Sequence, residues 1–182
     1  MRTWFISDTH FGHANIIKYT QRPFSNVQEM NATLISNWNC RVKPEDVVYV
    51  VGDFCFKTGA LTGNGMPVKF EEWLSKLNGT KIFIEGNHDG NNTVKTKIQS
   101  VVIKLGGKRI NLVHDPMHAS FNHEINFTGH VHNNWEIQRL RNGEAFTDCI
   151  NMSVEVWGYR PVSWDEIFSR YTKFLKTQNI GI

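Results

Sequence analysis

Cysteine is scarce and unpatterned in this chain. Cys40, Cys55 and Cys149 lie far apart, form no C-x-x-C pair and make an odd total, which excludes a disulfide framework and a thiolate zinc site and points to a reducing compartment. No apolar run approaches the length of a membrane span. The first residues run straight into Asp8 without a basic n-region, a long apolar h-region or a small-residue cleavage site, so the expectation is a cytoplasmic protein with no signal peptide and no membrane partner. There is no internal repeat and no low-complexity tract. Charge is nearly balanced: 20 Lys and Arg against 17 Asp and Glu leave a formal +3. That surplus suits an enzyme meeting an anionic substrate, but it is too small for a surface built to coat nucleic acid, so nucleic acid is possible and not indicated. With 182 residues and 40% hydrophobic content, residues 1–182 are expected to form one globular domain with a real core. Nothing in the pattern specifies an oligomeric state.

The segment 3–7 is a short apolar strand that stops at Asp8. After Ser25-Asn26, Val27, Met30, Leu34, Ile35 and Trp38 recur at helical spacing, predicting a helix to about Asn39. Residues 46–51 form a second apolar strand, ending at Gly52-Asp53. Lys57 to Lys69 is rich in glycine and is expected to be a surface loop. Residues 70–77 suggest a short helix closed by Asn78-Gly79, and 81–85 a third strand ending at Gly86-Asn87. Strands 101–105 and 109–113 flank Gly106-Gly107 as a hairpin, and the second stops at His114. Residues 125–128 form another strand, ending at Gly129-His130. The stretch 136–152 suggests further antiparallel strands. Ser163 with Glu166 forms a capping box for a last helix to about Lys176.

Five times, then, an apolar strand ends in Asp, Asn or His. Strand ends along one sheet edge are rigid and close together, which suits a constellation of fixed geometry. The blocks are Asp8-Thr9-His10, Gly52-Asp53, Gly86-Asn87-His88-Asp89, His114 and Gly129-His130-Val131-His132. Asp8/His10 and His130/His132 are i, i+2 pairs, which share a face in extended chain. Asp, Asn and His offer oxygen and nitrogen donors that suit Mn²⁺, Fe, Zn²⁺, Ni²⁺ or Co²⁺. The glycines beside these residues permit close backbone approach.

In this order the five blocks resemble the signature of the calcineurin-like metallophosphoesterase superfamily: D-x-H, G-D, G-N-H-[D/E], H and G-H-x-H. The run S-D-T-H-F-G-H-A-N-I-I is similar to the opening of its small bacterial and phage branch. The resemblance implies an α/β fold of two packed mixed sheets flanked by helices, a four-layer α-β-β-α sandwich. It implies two divalent metal ions, Mn²⁺ favoured. Asp8, His10 and His132 would hold the first, Asn87, His114 and His130 the second, and Asp53 would bridge them. It further implies hydrolysis of a phosphate ester by a hydroxide held between the ions. His88 would then donate a hydrogen bond or proton to the phosphate or leaving oxygen, with Asp89 orienting its imidazole.

The chain departs from the protein Ser/Thr phosphatases, which carry Arg in a D-R-G triplet. Here Asp53 is followed by Phe54-Cys55-Phe56-Lys57, which disfavours a phosphoprotein substrate. The expected substrate is a small phosphate ester or nucleotide, with a phosphodiester preferred. The alternatives are a phosphomonoesterase and a nucleotide-binding module that keeps ligands without catalysis; an intact His88 argues against the latter. His13 either faces the phosphate or caps its loop. Arg160 could reach an anion, and Arg22 or Arg160 could supply a clamp after folding. His118 and His123 are expected at the surface, and Lys95, Lys97, Lys104, Lys108 and Arg109 on a solvated face. Phe11, Phe54, Phe56 and Trp135 are expected in the core rather than stacked on a base.

Overall fold

The computed structural model describes residues 1–56, 68–89, 94 and 96–178. The predicted loop at 57–69 therefore lies outside the described residues except for Val68 and Lys69, as does Lys95.

Two mixed sheets stack face to face. The first has the order β3-β2-β1-β9, from β1 (Thr3–Ile6), β2 (Val47–Val51), β3 (Thr80–Ile84) and β9 (Val162–Ser163). β1, β2 and β3 are parallel, and β9 runs antiparallel to β1. The second has the order β4-β5-β6-β8-β7, from β4 (Ser100–Leu105), β5 (Lys108–Val113), β6 (Ile125–Thr128), β7 (Ile137–Asn142) and β8 (Ala145–Asn151). Its middle strands β5, β6 and β8 are parallel, and the hairpin partners β4 and β7 antiparallel.

The first sheet is buried on both faces, which explains its unbroken apolar strands. Trp4, Ile6, Val48 and Val50 meet the helices α1 (Ile16–Tyr19), α2 (Val27–Arg41) and α3 (Phe70–Ser75) through Ile16, Val27, Met30, Leu34, Trp38 and Trp73. One residue out of phase, Phe5 and Val51 face the second sheet. There they join Ile110, Leu112, Ile125, Phe127 and Ile150, together with Ile167, Tyr171 and Leu175 of α4 (Trp164–Thr177). The other face of the second sheet is polar, and its asparagines are hydrogen-bonded. Asn111 donates to Asn126 (2.8 Å), Asn126 donates to Thr147 (2.7 Å), and the loop after His114 lies over them through Ser120.

The expected α4 capping box of Ser163 and Glu166 is present, and α2 is capped by Asn26, which accepts from the Glu29 N–H. α1 and β9 were not expected. α3 ends at Ser75, before the Asn78-Gly79 turn that was expected to close it. Among the described residues, no helix is long and apolar enough to cross a membrane.

The topology matters because it aligns the carboxyl ends of β1, β2, β3, β5 and β6 along one rim. Backbone bonds there extend each sheet, and the one from Ser7 joins the two. Ser7 donates to Met152, Met152 to Thr128, Gly129 to His114 and Asp8 to Gly52, at 2.7–3.1 Å.

Candidate metal centre

All seven candidate ligands converge on this rim. Asp8, His10, Asp53 and His114 form a buried floor, while Asn87, His88 and His130 are exposed above it. The atoms that face one another are donors. His10 Nε2 lies 3.9 Å from Asp8 Oδ1 and 3.6 Å from Asp53 Oδ2, and His114 Nε2 is 3.3 Å from that same Asp53 oxygen. His132 Nε2 is 4.0 Å from Asp8 Oδ1. Asn87 Oδ1 sits 3.1 Å from His114 Nε2 and 3.0 Å from His130 Nδ1.

The sequence reaches this geometry at a conformational cost. Among the described non-glycine residues, seven have positive φ, and five of these are Asp8, His10, Asp53, His130 and His132. Each such position costs on the order of 1 kcal/mol or more and persists only where its surroundings hold it. The neighbouring glycines leave that room. A Cβ at Gly52 would collide with the His114 ring, one at Gly86 with the Asp53 carboxylate, and one at Gly129 with Ser7 and Asp8.

The donor set fits divalent ions. His10 Nε2 is buried and has no hydrogen-bond partner, and burial holds its imidazole well below the usual pKa, hence neutral. A buried, neutral, unpartnered ring nitrogen aimed at two carboxylates is what a cation requires. Two triads, Asp8/His10/His132 and Asp8/Asp53/His114, bring their donor atoms within 4.8 Å of one another. Those spacings approach the donor–donor edges of roughly 3–3.5 Å that bonds of about 2.1 Å impose. Burial disfavours the Asp53 carboxylate, yet the bond and charge of His114 and the His88 N–H (2.9 Å) hold its pKa below the usual range. Against burial, the bond to Asp53 and the charges of Asp8 and Asp53 lift His114 to about 9. His114 and Asp53 thus share a proton that a cation would replace.

Several residues have duties that the sequence did not reveal. Asp89 does not face His88: its carboxylate accepts from the backbone N–H groups of Asp53 (2.8 Å), Gly86 (3.0 Å) and Phe54 (3.1 Å), locking two ligand-bearing turns together. Ser7 and Ser153 hydroxyls lie 2.6 and 2.8 Å from Asp8 Oδ2, leaving Oδ1 to the histidines. Glu155 Oε1 is 3.0 Å from His132 Nδ1. Ser153 and Glu155 sit far from the motifs in sequence and carry no local signal. Neither proposed clamp is free. Arg22 is buried on backbone carbonyls and Glu155, and Arg160 pairs with Glu166 at the start of α4 (2.7 Å). His13 does face the site, its ring stacked on Phe56 (4.3 Å) and 5.5 Å from His10. Phe11 and Phe54 are core residues, as expected. His118 is exposed, and so are the mouths of two cavities beside the cluster. One, of about 280 Å³, is lined by His10, His13, Tyr19, His88 and Asn133. The other, of about 560 Å³, is lined by Asn87, His114, Gln99, Ser100 and His118.

A family model described as calcineurin-like phosphoesterase matches residues 1–177. The chain belongs to this family. An uncharacterized protein of Methanocaldococcus jannaschii is 41% identical over 170 residues, 91% of this chain and 89% of its own length. The gene 66 protein of Mycobacterium phage L5 is 35% identical over 88 residues, 48% of this chain and 40% of that protein. Among solved structures, a protein of unknown function from Aquifex aeolicus is 28% identical with a TM-score of 0.64, covering 92% of this chain and 97% of that one. The family acts on phosphate esters and implies divalent metal ions, and the Asp/His groups of the rim could bind them.

Proposed function

We propose that the chain is a single catalytic domain that hydrolyses phosphodiesters of the nucleotide type, using two divalent ions, Mn²⁺ favoured, in a cytoplasmic setting. The observation that carries the two-ion reading is the position of Asp53 Oδ2, between His10 Nε2 at 3.6 Å and His114 Nε2 at 3.3 Å. Asp53 thereby joins the set Asp8, His10 and His132 to the set Asn87, His114 and His130. When bound, a pair of such ions neutralises charge on the phosphoryl oxygens and lowers the pKa of an attacking water.

The protein's own groups supply the rest. His88 projects from the exposed rim, its ring 5.5 Å from that of His10, where it can give a proton to the leaving oxygen. Asp89 acts through the backbone, fixing the turn that carries Asn87 and His88. His13 borders the cavity the leaving group would enter.

Two features favour a diester. Arg22 and Arg160 are both committed elsewhere, so neither offers the bidentate grip that a terminal phosphate dianion rewards. The two cavities, one beside His10 and His132 and one beside Asn87 and His114, accommodate two ester substituents. Three scattered cysteines without a C-x-x-C pair agree with a reducing compartment. The test is kcat/KM for bis-p-nitrophenyl phosphate against p-nitrophenyl phosphate with added Mn²⁺, extended to cyclic and linear nucleotides. The diester should win, and a clear monoester preference would reverse the assignment.

A further inference from the structure

Resting on the two-ion reading, we propose that a buried Arg22–Glu155 pair makes the site of Asp8, His10 and His132 the tighter of the two metal sites. The two residues are 133 positions apart, and their side chains are 0% and 3% exposed. Arg22 gives Glu155 Oε1 two bonds, from Nε (2.9 Å) and a terminal nitrogen (2.7 Å). The same guanidinium donates to the backbone carbonyls of Asp8 (2.7 Å) and Thr9 (3.0 Å). It therefore clasps the strained turn that presents Asp8 and His10, whose φ angles are 56° and 48°. Glu155 in turn accepts from His132 Nδ1, which fixes the tautomer and leaves Nε2 facing Asp8. One ion pair thus organises all three ligands of one site.

Among the described residues, no carboxylate backs either imidazole of the other site. His114 Nδ1 meets a neutral backbone carbonyl, that of Val51, at 2.8 Å. His130 is exposed, and its Nδ1 faces Asn87 Oδ1, another ligand of the same site. A carboxylate behind an imidazole makes it a better donor to a cation than a carbonyl does, and losing such a partner costs about 10–100-fold in metal affinity. A buried ion pair contributes little net stability, so its placement behind three ligands is better explained by what it does to them.

The experiment is calorimetric titration of the chelator-stripped full chain with Mn²⁺, read beside the Mn²⁺ electron paramagnetic resonance signal of free ion. Wild type should show two resolved affinity classes. Glu155→Gln keeps the side-chain volume and an acceptor but removes the charge; it should weaken the tight class about 10–100-fold and leave the weaker one in place. His130→Ala should do the opposite. Should Glu155→Gln not fold, Arg22→Lys should give a smaller loss in the same class. Two equal sites in wild type would overturn the inference while sparing the two-ion reading, as would equal weakening of both classes or a loss confined to the weaker one. No binding by wild type would overturn both.

Discussion

Gly86→Ala adds one methyl group to the turn before Asn87, and the structure says what that methyl would strike. Gly86 does not occupy the positive-φ region, so alanine is tolerated by the backbone there. Its Cβ would sit 3.0 Å from Asp53 Cγ and nearer still to Oδ1 and the backbone N, whereas ordinary contacts begin at 3.4 Å. Relief at Cγ alone needs 0.4 Å, and relief at the oxygen needs more. The Asp53 carboxylate cannot swing freely, because His88 N–H holds Oδ1 at 2.9 Å and Oδ2 faces His10 and His114. A displacement of roughly 0.5–1 Å at the proposed bridging group should lower kcat/KM by about 10–100-fold. The assay is Mn²⁺-dependent hydrolysis of a chromogenic diester, with a thermal melt to show that the variant is folded. A folded Gly86→Ala protein with wild-type kcat/KM would refute the close packing of this turn against Asp53, or the importance of Asp53's position.

Other substitutions separate the roles assigned above. Asp53→Asn should lose metal and activity together, and two tightly held ions in that variant would remove it from the bridge. His88→Ala should keep both ions by metal analysis while kcat falls by about 10²–10⁴; loss of ions would make His88 a ligand. Asp89→Ala strands three buried N–H groups and should cost about 1–3 kcal/mol in chemical denaturation, so an unchanged midpoint would contradict its locking role. Asp46, bonded to the N–H groups of Lys43, Trp4 and Arg2, has its pKa lowered to about 2. A depressed carboxylate stabilises the fold above its unfolded pKa of about 4 and ceases to do so as pH falls through the folded value. The Tm gap between wild type and Asp46→Asn should therefore close between about pH 5 and pH 2, and a gap independent of pH would contradict it.

Much of the rim was legible because it is written locally. An apolar strand, a small residue and then Asp, Asn or His is a pattern the chain repeats, and parallel topology brings those ends together. The longer helices were legible for the same reason, through the Ser163–Glu166 capping box and the spacing of Val27, Met30, Leu34 and Trp38. What escaped notice depends on distant partners. α1 is a single turn too short to carry a period, and β9 is two residues that pair only because β1 lies beside them. Glu155 and Ser153 belong to a loop with no motif, and they matter only once Met152 has joined the two sheets. Asp89 shows the converse: the carboxylate passes over His88, its neighbour in sequence, and reaches the N–H groups of another strand end.

The proposed two-ion rim should need both ions for hydrolysis. The direct measurement strips the protein with chelator, restores Mn²⁺ stepwise, and counts bound ions per chain by mass spectrometry beside the rate of diester hydrolysis. No turnover is expected without metal, and full turnover only as occupancy approaches two. Full activity in the stripped protein, or a maximal rate with one ion bound, would contradict it.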